Sequence, residues 1–269
     1  AHSGGDGDGD GTGALTVHKM CSCKDGIDHM EWSPDSAFVL CAMYKRQEVA
    51  IWAVDAASTW TARISEGVVA GLVHARWAPD SRHVLTVADF QLHCSVWSLT
   101  SKTVYYIKHP KFASAGLAFS RDGRYMAILT RESCRDFCSV YATASWELVS
   151  KWAVAMDDAR DIAWAPDASV IAVRGDPLSY VLQCYAPDGK RLHELKAYEH
   201  ALGIKTMAWA PSGHFLAVGS FDARCRVLNH LTWRAVATFE APAAVDGRRV
   251  NFFREVLDNG GDLAVFGKA

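Results

Sequence analysis

Long apolar runs, an excess of charge and secretory features are all missing from this sequence, and each absence excludes a class of protein. No stretch of about 18 or more apolar residues is present, so no membrane-spanning helix is expected. The 28 basic and 30 acidic residues give a formal net charge of −2, which argues against a strongly basic nucleic-acid-binding surface. The N-terminus lacks the apolar core of a signal peptide, and the eight cysteines lack the spacing of a small disulfide-bonded domain. We therefore expect an intracellular protein with reduced thiols.

The spacings that hold metals or drive catalysis are missing as well. Cys21 and Cys23 stand one residue apart, whereas structural zinc sites use cysteine pairs separated by roughly two to four residues. The acidic run that begins at Asp6 resembles the start of a calcium-binding loop, but Val17 occupies the position of its bidentate glutamate. The histidines are scattered along the chain without a recurrent acid or nucleophile beside them. The sequence therefore predicts no metal, no cofactor and no enzymatic activity.

What the sequence does contain is a repeat. An apolar strand leads to an aromatic residue that is followed, in most copies, by Ser or Ala, Pro and Asp. The aromatic positions lie 45, 42, 45 and 45 residues apart and are Trp32, Trp77, Phe119, Trp164 and Trp209. A second landmark follows each of them after 19 to 22 residues, at Trp52, Trp97, Tyr141, Tyr185 and Leu228. Two landmarks that stay in phase over five periods indicate a repeat architecture.

The chemistry of each period is typical of a four-stranded antiparallel unit. Proline and aspartate favour a tight turn, and the run after that turn is apolar on both faces, as in a strand sandwiched between neighbouring sheets. About 40–45 residues per four strands is the period of a WD-type β-propeller. The sequence thus predicts an all-β fold with five recognisable blades at 27–64, 73–107, 114–152, 161–195 and 205–239.

The remaining segments complete the predicted domain organisation. Residues 1–20 are rich in glycine and aspartate and are expected to be disordered, residues 21–245 carry the blades, and residues 246–269 form an extension or a degenerate partial blade. Five blades raise the question of closure, since repeats bury their faces only against neighbours. The ring closes at five, or a partner or missing sequence completes it; missing sequence is the preferred interpretation.

Three cysteines share one position of the repeat. Cys94, Cys138 and Cys225 each stand three residues before the second landmark, where the other two blades have Val49 and Leu182. An exchange of Cys with Val and Leu is typical of a small buried hydrophobic residue, so a packing role is predicted.

Candidate binding residues fall on the connections between the second and third strands and between blades, which emerge on the same rim of a propeller. They serve no evident turn or core purpose, and Tyr and Arg are enriched at binding hot spots. A protein-binding rim is therefore predicted at Tyr44, Lys45, Arg46, Lys108, Lys111, Arg131, Tyr198, Glu199, His200, Phe221 and Asp222.

Beyond the generic repeat, the sequence closely resembles one family. This is the family of centrosomal and spindle-pole WD-repeat proteins that partner the synovial-sarcoma-X-interacting coiled-coil protein. The segments that carry the resemblance are 41–46, 70–73, 106–108, 110–111, 121–127, 197–199, 202–205, 215–220, 222, 228–230 and 232–233. Members of that family are longer, and residues from about 259 onward match nothing in it.

The resemblance implies a non-catalytic scaffold at centrosomes, basal bodies or spindle poles, within the cytoplasm and cytoskeleton. It further implies roles in microtubule anchoring, spindle assembly and cilium formation, with a coiled-coil centrosomal protein as partner. An alternative is a propeller of the translation-initiation type that binds ribosomes or tRNA complexes, and a ubiquitin-ligase substrate adaptor is a third. The near-neutral charge argues against the propeller of the translation-initiation type.

Overall fold

The computed structural model describes residues 21–23, 26–66, 71–196 and 202–240, in which the chain forms twenty β-strands. They are arranged as five antiparallel sheets, blades 1 to 5, each a four-stranded meander hydrogen-bonded in chain order. The all-β, five-bladed WD-repeat fold predicted from the sequence is confirmed. The strands are β1 (His29–Trp32), β2 (Phe38–Met43), β3 (Glu48–Ala53), β4 (Thr61–Ser65), β5 (His74–Trp77), β6 (His83–Val87), β7 (His93–Ser98), β8 (Val104–Lys108), β9 (Leu117–Phe119), β10 (Tyr125–Glu132), β11 (Arg135–Ala142), β12 (Leu148–Ala153), β13 (Ala159–Trp164), β14 (Ile171–Gly175), β15 (Val181–Tyr185), β16 (Arg191–Lys196), β17 (Ile204–Trp209), β18 (Phe215–Ser220), β19 (Arg224–Asn229) and β20 (Ala235–Glu240).

The repeated Ser/Ala-Pro-Asp segment forms the tight turn between the first two strands of a blade. In blade 1 the Ser33 hydroxyl donates to Asp35 Oδ1 at 2.6 Å and accepts the N–H of Phe38 at 2.9 Å. Ser120 makes the same two bonds in blade 3, to Asp122 and from Tyr125. The side chains thus satisfy turn groups that the strands leave unpaired, which is why serine and aspartate recur there.

The hydrophobic core is divided among the boundaries between consecutive blades. One buried cluster joins blades 1 and 2 around Leu40, Ile51 and Trp77, and a second joins blades 2 and 3. Two more join blades 3 and 4 and blades 4 and 5. Both faces of β2, β6, β10, β14 and β18 contribute buried residues, as the doubly apolar runs predicted. Each blade is therefore stabilised mainly by its neighbours.

The repeated tryptophan links each of three blades to the one before it. Trp77 Nε1 donates to the carbonyl of Glu31 at 3.2 Å, Trp164 Nε1 to Ala118 at 3.1 Å and Trp209 Nε1 to Ala163 at 3.3 Å. The acceptor is in each case 46 residues earlier and directly precedes the aromatic landmark of the previous blade. The Phe119 side chain has no N–H to donate, and the guanidinium carbon of Arg76 lies 5.6 Å from the centroid of its ring instead.

Trp32 departs from the role that its place in the repeat predicts. It is 59% exposed, whereas Trp77 is 3% and Trp164 is 7% exposed. Trp32 and Met30 point away from blade 2, because the alternate residues His29 and Glu31 face that blade. Among the described residues, no preceding blade covers this face.

The shared cysteine position is buried, as predicted. Cys94 and Cys138 are fully enclosed and Cys225 is buried as well, like Val49 and Leu182 in the same slot. Burial raises the pKa of the Cys94 thiol to about 12, with a smaller contribution from Glu66. These thiols pack as small apolar groups and are held in the protonated form.

Candidate functional site

The connections of the blades alternate between two ends of the molecule, because successive strands are antiparallel. The loops between second and third strands emerge at one end together with the connections from blade to blade; we call this end the upper rim. Across blades 2 to 4 these two kinds of connection enclose one cleft of ≈ 420 Å³. Its lining comes from Phe90, Gln91, His109, Pro110, Lys111, Phe112, Arg131, Asp158, Arg160 and Asp176.

The floor of the cleft is a buried ion-pair network. Lys111 Nζ is nearly inaccessible and donates to Asp136 Oδ2 at 2.5 Å, to Asp158 and to the carbonyl of Ala159. Asp136 is fully buried and also accepts the N–H of Ala159 at 2.8 Å. Arg131 approaches Asp136 at 3.2 Å and Asp158 at 3.6 Å from the open side. Two cations and two carboxylates therefore balance, and the network joins the connections on either side of blade 3.

One wall of the cleft presents a cation on an aromatic ring. The guanidinium carbon of Arg160 lies 4.6 Å from the centroid of the half-buried Phe112 ring. Lys111 Nζ lies 5.2 Å from the same centroid. The described residues include no carboxylate in ion-pair contact with the exposed Arg160 side chain. The cation–π contact with Phe112 leaves the charge of this guanidinium without a carboxylate partner.

Phe90 stands at the opposite edge of the cleft with 81% of its surface exposed. It lies in a short 3-10 turn, Asp89–Gln91, in which Phe90 has φ +55° and Gln91 has φ +52°. The Asp89 carboxylate accepts the Phe90 N–H at 2.9 Å, and Gln91 N–H donates to the carbonyl of Ala88. A left-handed conformation is unfavourable for a bulky side chain, so this turn holds the ring in solvent at an energetic cost.

Buried acidic groups also fasten the connections next to the cleft. Glu66, whose side chain is almost inaccessible, accepts hydrogen bonds from Thr86, from Ser95 at 3.2 Å and from Trp97 Nε1 at 3.2 Å. His93 lies 3.4 Å from the same carboxylate. Together with the Asp136 network, this arrangement makes the upper rim a set of anchored loops.

Of the predicted binding residues, the cleft brings Lys111 and Arg131 together. The Lys111 amine lies below the surface, where it donates to Asp136, Asp158 and a carbonyl, and a contact of this residue with a partner stays a prediction. Arg131 keeps 43% of its side chain exposed and lies at the cleft itself. Lys108 is exposed at the end of β8.

The predicted residues of blade 1 lie apart from the cleft. Tyr44 was expected to have no core role, but its ring packs against the core between blades 1 and 2, and burial raises the pKa of its hydroxyl. Lys45 is exposed. Arg46 is exposed, approaches Glu48 at 3.8 Å and lines a small pocket with Cys23 on the uncovered face of blade 1.

In blade 5 the two predicted residues have different environments. Phe221 is exposed, with Lys205 Nζ 5.9 Å from its ring centroid. Asp222, in contrast, is structural: it receives bonds from the Ser220 hydroxyl and the Arg224 N–H, and pairs with Arg226 at 2.7 Å. Burial disfavours the charged carboxylate of Asp222, but the bonds from Arg226 and Ser220 outweigh it and lower its pKa. Tyr198, Glu199 and His200 lie outside the described residues.

Sequence reasoning missed several residues that the cleft depends on, chiefly Phe90, Phe112 and Arg160. A signal for Phe90 was present, because Ala88 to Leu92 occupies the same slot of the repeat as Tyr44 and Phe221. Leu178 occupies that slot in blade 4 and is 77% exposed. No signal in the sequence pointed to Arg160. What sets it apart is that no carboxylate pairs with it, and this depends on its neighbours in space.

Two further features concern metals and membranes. Within residues 21–23, 26–66, 71–196 and 202–240, no three His, Cys, Asp or Glu side chains are grouped so as to hold a metal ion. In the same part of the chain, no helix has the length and apolar character needed to cross a membrane.

Comparison with known proteins gives two matches. A family model described as the WD40 domain of anaphase-promoting complex subunit 4 matches residues 162–246. The chain is 42% identical over 241 residues to the WD repeat-containing protein WRAP73 of Mus musculus, across 90% of this chain and 52% of that protein. The chain thus spans about half the length of this relative. With five four-stranded blades in repeat register, the chain has the WD-repeat β-propeller fold and is similar to this WD repeat-containing protein over nine tenths of the chain.

Proposed function

We propose that this chain is a non-catalytic protein-interaction scaffold of the centrosome, basal body or spindle pole, and that partners bind its upper rim. In this role it supports microtubule anchoring, spindle assembly and cilium formation. One observation carries the choice of surface, namely the exposure of large apolar side chains on the upper-rim connections. These are Phe90, Leu92, Leu178, Leu202 and Phe221.

Exposed phenylalanine and leucine side chains on anchored loops are what a protein-binding surface requires. Each loses contact with water when a partner covers it, and this loss of apolar area stabilises the complex. The loops need little ordering on binding, because networks such as that of Lys111 and Asp136 already hold them. The opposite end of the blades, which we call the lower rim, carries the other loops of each blade. It exposes fewer large apolar groups in the described residues, among them Leu231.

The proposed location rests on the family resemblance of the sequence. Segments such as 41–46 and 215–220 are similar to the centrosomal and spindle-pole WD-repeat proteins beyond what blade geometry requires. The 42% identity with a WD repeat-containing protein over nine tenths of the chain supports a shared scaffold role. A coiled-coil centrosomal protein is the partner that this resemblance favours.

The experiment removes apolar groups from the upper rim without touching the core. A combined Phe90→Gly, Leu178→Ala, Phe221→Ala variant is expected to melt like the wild type, because all three side chains are exposed. It should nevertheless fail to concentrate at centrosomes and spindle poles when the tagged protein is imaged in dividing cells. Affinity purification of the same cells should lose coiled-coil centrosomal proteins.

The matched control is Leu231→Ala, which removes an equally exposed leucine from the lower rim. It should localise normally. If the rim variant folds and still localises normally, the upper rim is not the partner surface. Recovery of ribosomal proteins instead of centrosomal ones would favour the translation-type propeller.

A further inference from the structure

We propose that the cleft across blades 2 to 4 recognises a segment of a partner protein that carries one acidic residue, with its carboxylate bound to Arg160 and an adjacent apolar side chain against Phe90. This inference rests on the upper rim being the partner surface and adds the chemistry of what it binds.

The first argument is that one cation of the cleft has no ion-pair partner. Asp136 and Asp158 are both ion-paired from within, because Lys111 and Arg131 reach them. One Asp176 carboxylate oxygen accepts the N–H of Leu178 at 2.9 Å, a bond within its own loop. Arg160 remains as the cation with no ion-paired carboxylate among the described residues. Asp136, Asp158 and Asp176 equal Lys111, Arg131 and Arg160 in number, so the cleft as a whole is near neutral, but Arg160 is the position at which a ligand carboxylate meets a cation without an ion-pair partner.

The second argument is the orientation of the Arg160 guanidinium. Its carbon lies 4.6 Å from the Phe112 centroid, a cation–π contact that places the guanidinium beside this ring at the cleft. The planar guanidinium carries its N–H donors in a fork that can bind both oxygens of a carboxylate.

The third argument is the apolar edge formed by Phe90. The ring is 81% exposed on a turn in which Phe90 and Gln91 both have positive φ. Glycine would fit this turn better, since it adopts positive φ without steric cost. An aromatic side chain held in solvent by a strained backbone is not explained by folding, and it stands at the mouth of the same cleft as Arg160.

Peptide fits this cleft better than nucleic acid. Asp158, which is 47% exposed, and Asp176 both line the cleft and would repel a ligand that brings several closely spaced negative charges, as a nucleic-acid backbone does. A peptide can place a single carboxylate at Arg160 and an uncharged, apolar neighbour against Phe90. An acidic residue beside an aliphatic or aromatic one is the simplest segment that meets both requirements.

The test selects peptides from a random twelve-residue display library on the folded chain, with counter-selection on Arg160→Ala. Enriched peptides are expected to carry Asp or Glu next to Leu, Ile, Val or an aromatic residue. Enrichment of basic peptides, of purely apolar ones, or of none above the Arg160→Ala background would overturn the inference.

The best peptide is then labelled and titrated by fluorescence polarisation. Arg160→Ala and a Glu-to-Gln exchange in the peptide should each weaken binding at least about tenfold, as for a lost charge-assisted bond. Phe90→Gly should weaken it as well while leaving the melting temperature unchanged or higher, because glycine relieves the turn. Arg124→Ala, which removes an exposed arginine from a turn of the lower rim, should have no effect.

The two proposals fail in different ways. If Phe90→Gly abolishes recruitment to centrosomes but charge changes at Arg160 alter neither peptide binding nor recruitment, the rim binds partners and the acidic specificity is wrong. If acidic peptides bind through Arg160 but the rim variants localise normally, the cleft is a peptide site and the proposed cellular role is wrong.

Discussion

The indole N–H of Trp164 reaches back to the main-chain carbonyl of Ala118, 46 residues earlier, over a distance of 3.1 Å. This bond crosses the boundary between blades 3 and 4 at the point where the ring of Trp164 closes the core between them. Tyr125 of the earlier blade stacks on the same indole, with ring centroids 6.4 Å apart. At this junction, one residue thus contributes apolar area, a ring contact and a hydrogen bond.

Removal of the repeated tryptophan should destabilise the protein strongly at a blade junction and only slightly at the uncovered face of blade 1. We expect Trp164→Ala to lower the free energy of unfolding by about 3–5 kcal/mol, as for other large aromatics deleted from a core. Trp32→Ala, at the same position of the repeat but 59% exposed, should cost less than about 1 kcal/mol. Urea denaturation monitored by circular dichroism gives both values. Equal losses would mean that Trp32 is covered in solution.

The ion-pair network under the cleft predicts a second contrast, between Lys111 and Lys108. Lys111→Met leaves the fully buried Asp136 without its closest cation, and loss of one partner of a buried pair costs about 3–5 kcal/mol. Lys108→Met changes an exposed side chain and should alter stability by less than about 0.5 kcal/mol. Thermal and urea melts of the two variants measure the difference. A mild effect of Lys111→Met would show that the amine is not buried with Asp136.

Thiol reactivity distinguishes packed cysteines from exposed ones. Cys21 and Cys134 are exposed and should react with a maleimide or a disulfide reagent within the native state. Cys94, Cys138, Cys184 and Cys225 are buried, and burial raises the pKa of each of these thiols. They should label only after unfolding, because the thiolate is the reactive form and reagent access is blocked. Mass spectrometry of tryptic peptides, before and after addition of guanidinium, assigns each site. Rapid native labelling of Cys138 would contradict the packing of β11.

Mild acid should weaken the boundary between blades 4 and 5 through His193. Its ring stacks on Trp233 with centroids 5.3 Å apart, and burial lowers its pKa against the opposing charge of Glu194. The unfolded chain therefore takes up a proton near pH 6.5 that the folded chain does not, so stability is present above about pH 6.5 and falls as the pH drops toward the lower folded value. Burial lowers the pKa of His74 in the same direction.

Melting temperatures between pH 7.5 and 5 test this expectation. His193→Phe keeps an aromatic ring on Trp233 and should flatten part of the decline, whereas His214→Gln, at an exposed histidine, should not. Carboxylates act only at lower pH: hydrogen bonds from Ser120 and Arg124 lower the pKa of Asp122 to about 2. A stability curve that is flat from pH 7.5 to 5 would contradict the buried environment of His193.

Much of the fold was predictable because the repeat encodes it locally. The turn after Trp32, the doubly apolar β2 and the buried slot of Cys94 depend on short-range turn chemistry and strand alternation, which five copies of the motif make visible. The exposure of Trp32 was not predictable in this way. Its sequence surroundings are those of Trp77, but within the described part of the chain a preceding blade covers Trp77 and none covers Trp32.

The binding surface, like the fold, was only partly predictable from the sequence. The sequence alone determined which loops share a rim, because antiparallel strands in a repeat must turn at alternating ends, and so Arg131 and Phe221 could be placed on one rim. Only the tertiary structure decided that Lys111 is bonded to the buried Asp136, that Asp222 pairs with Arg226, and that Arg160 has no ion-paired carboxylate. Charge balance in a cleft is a sum over side chains that are distant in sequence, and proximity in space, not spacing along the chain, determines which of them neutralise one another.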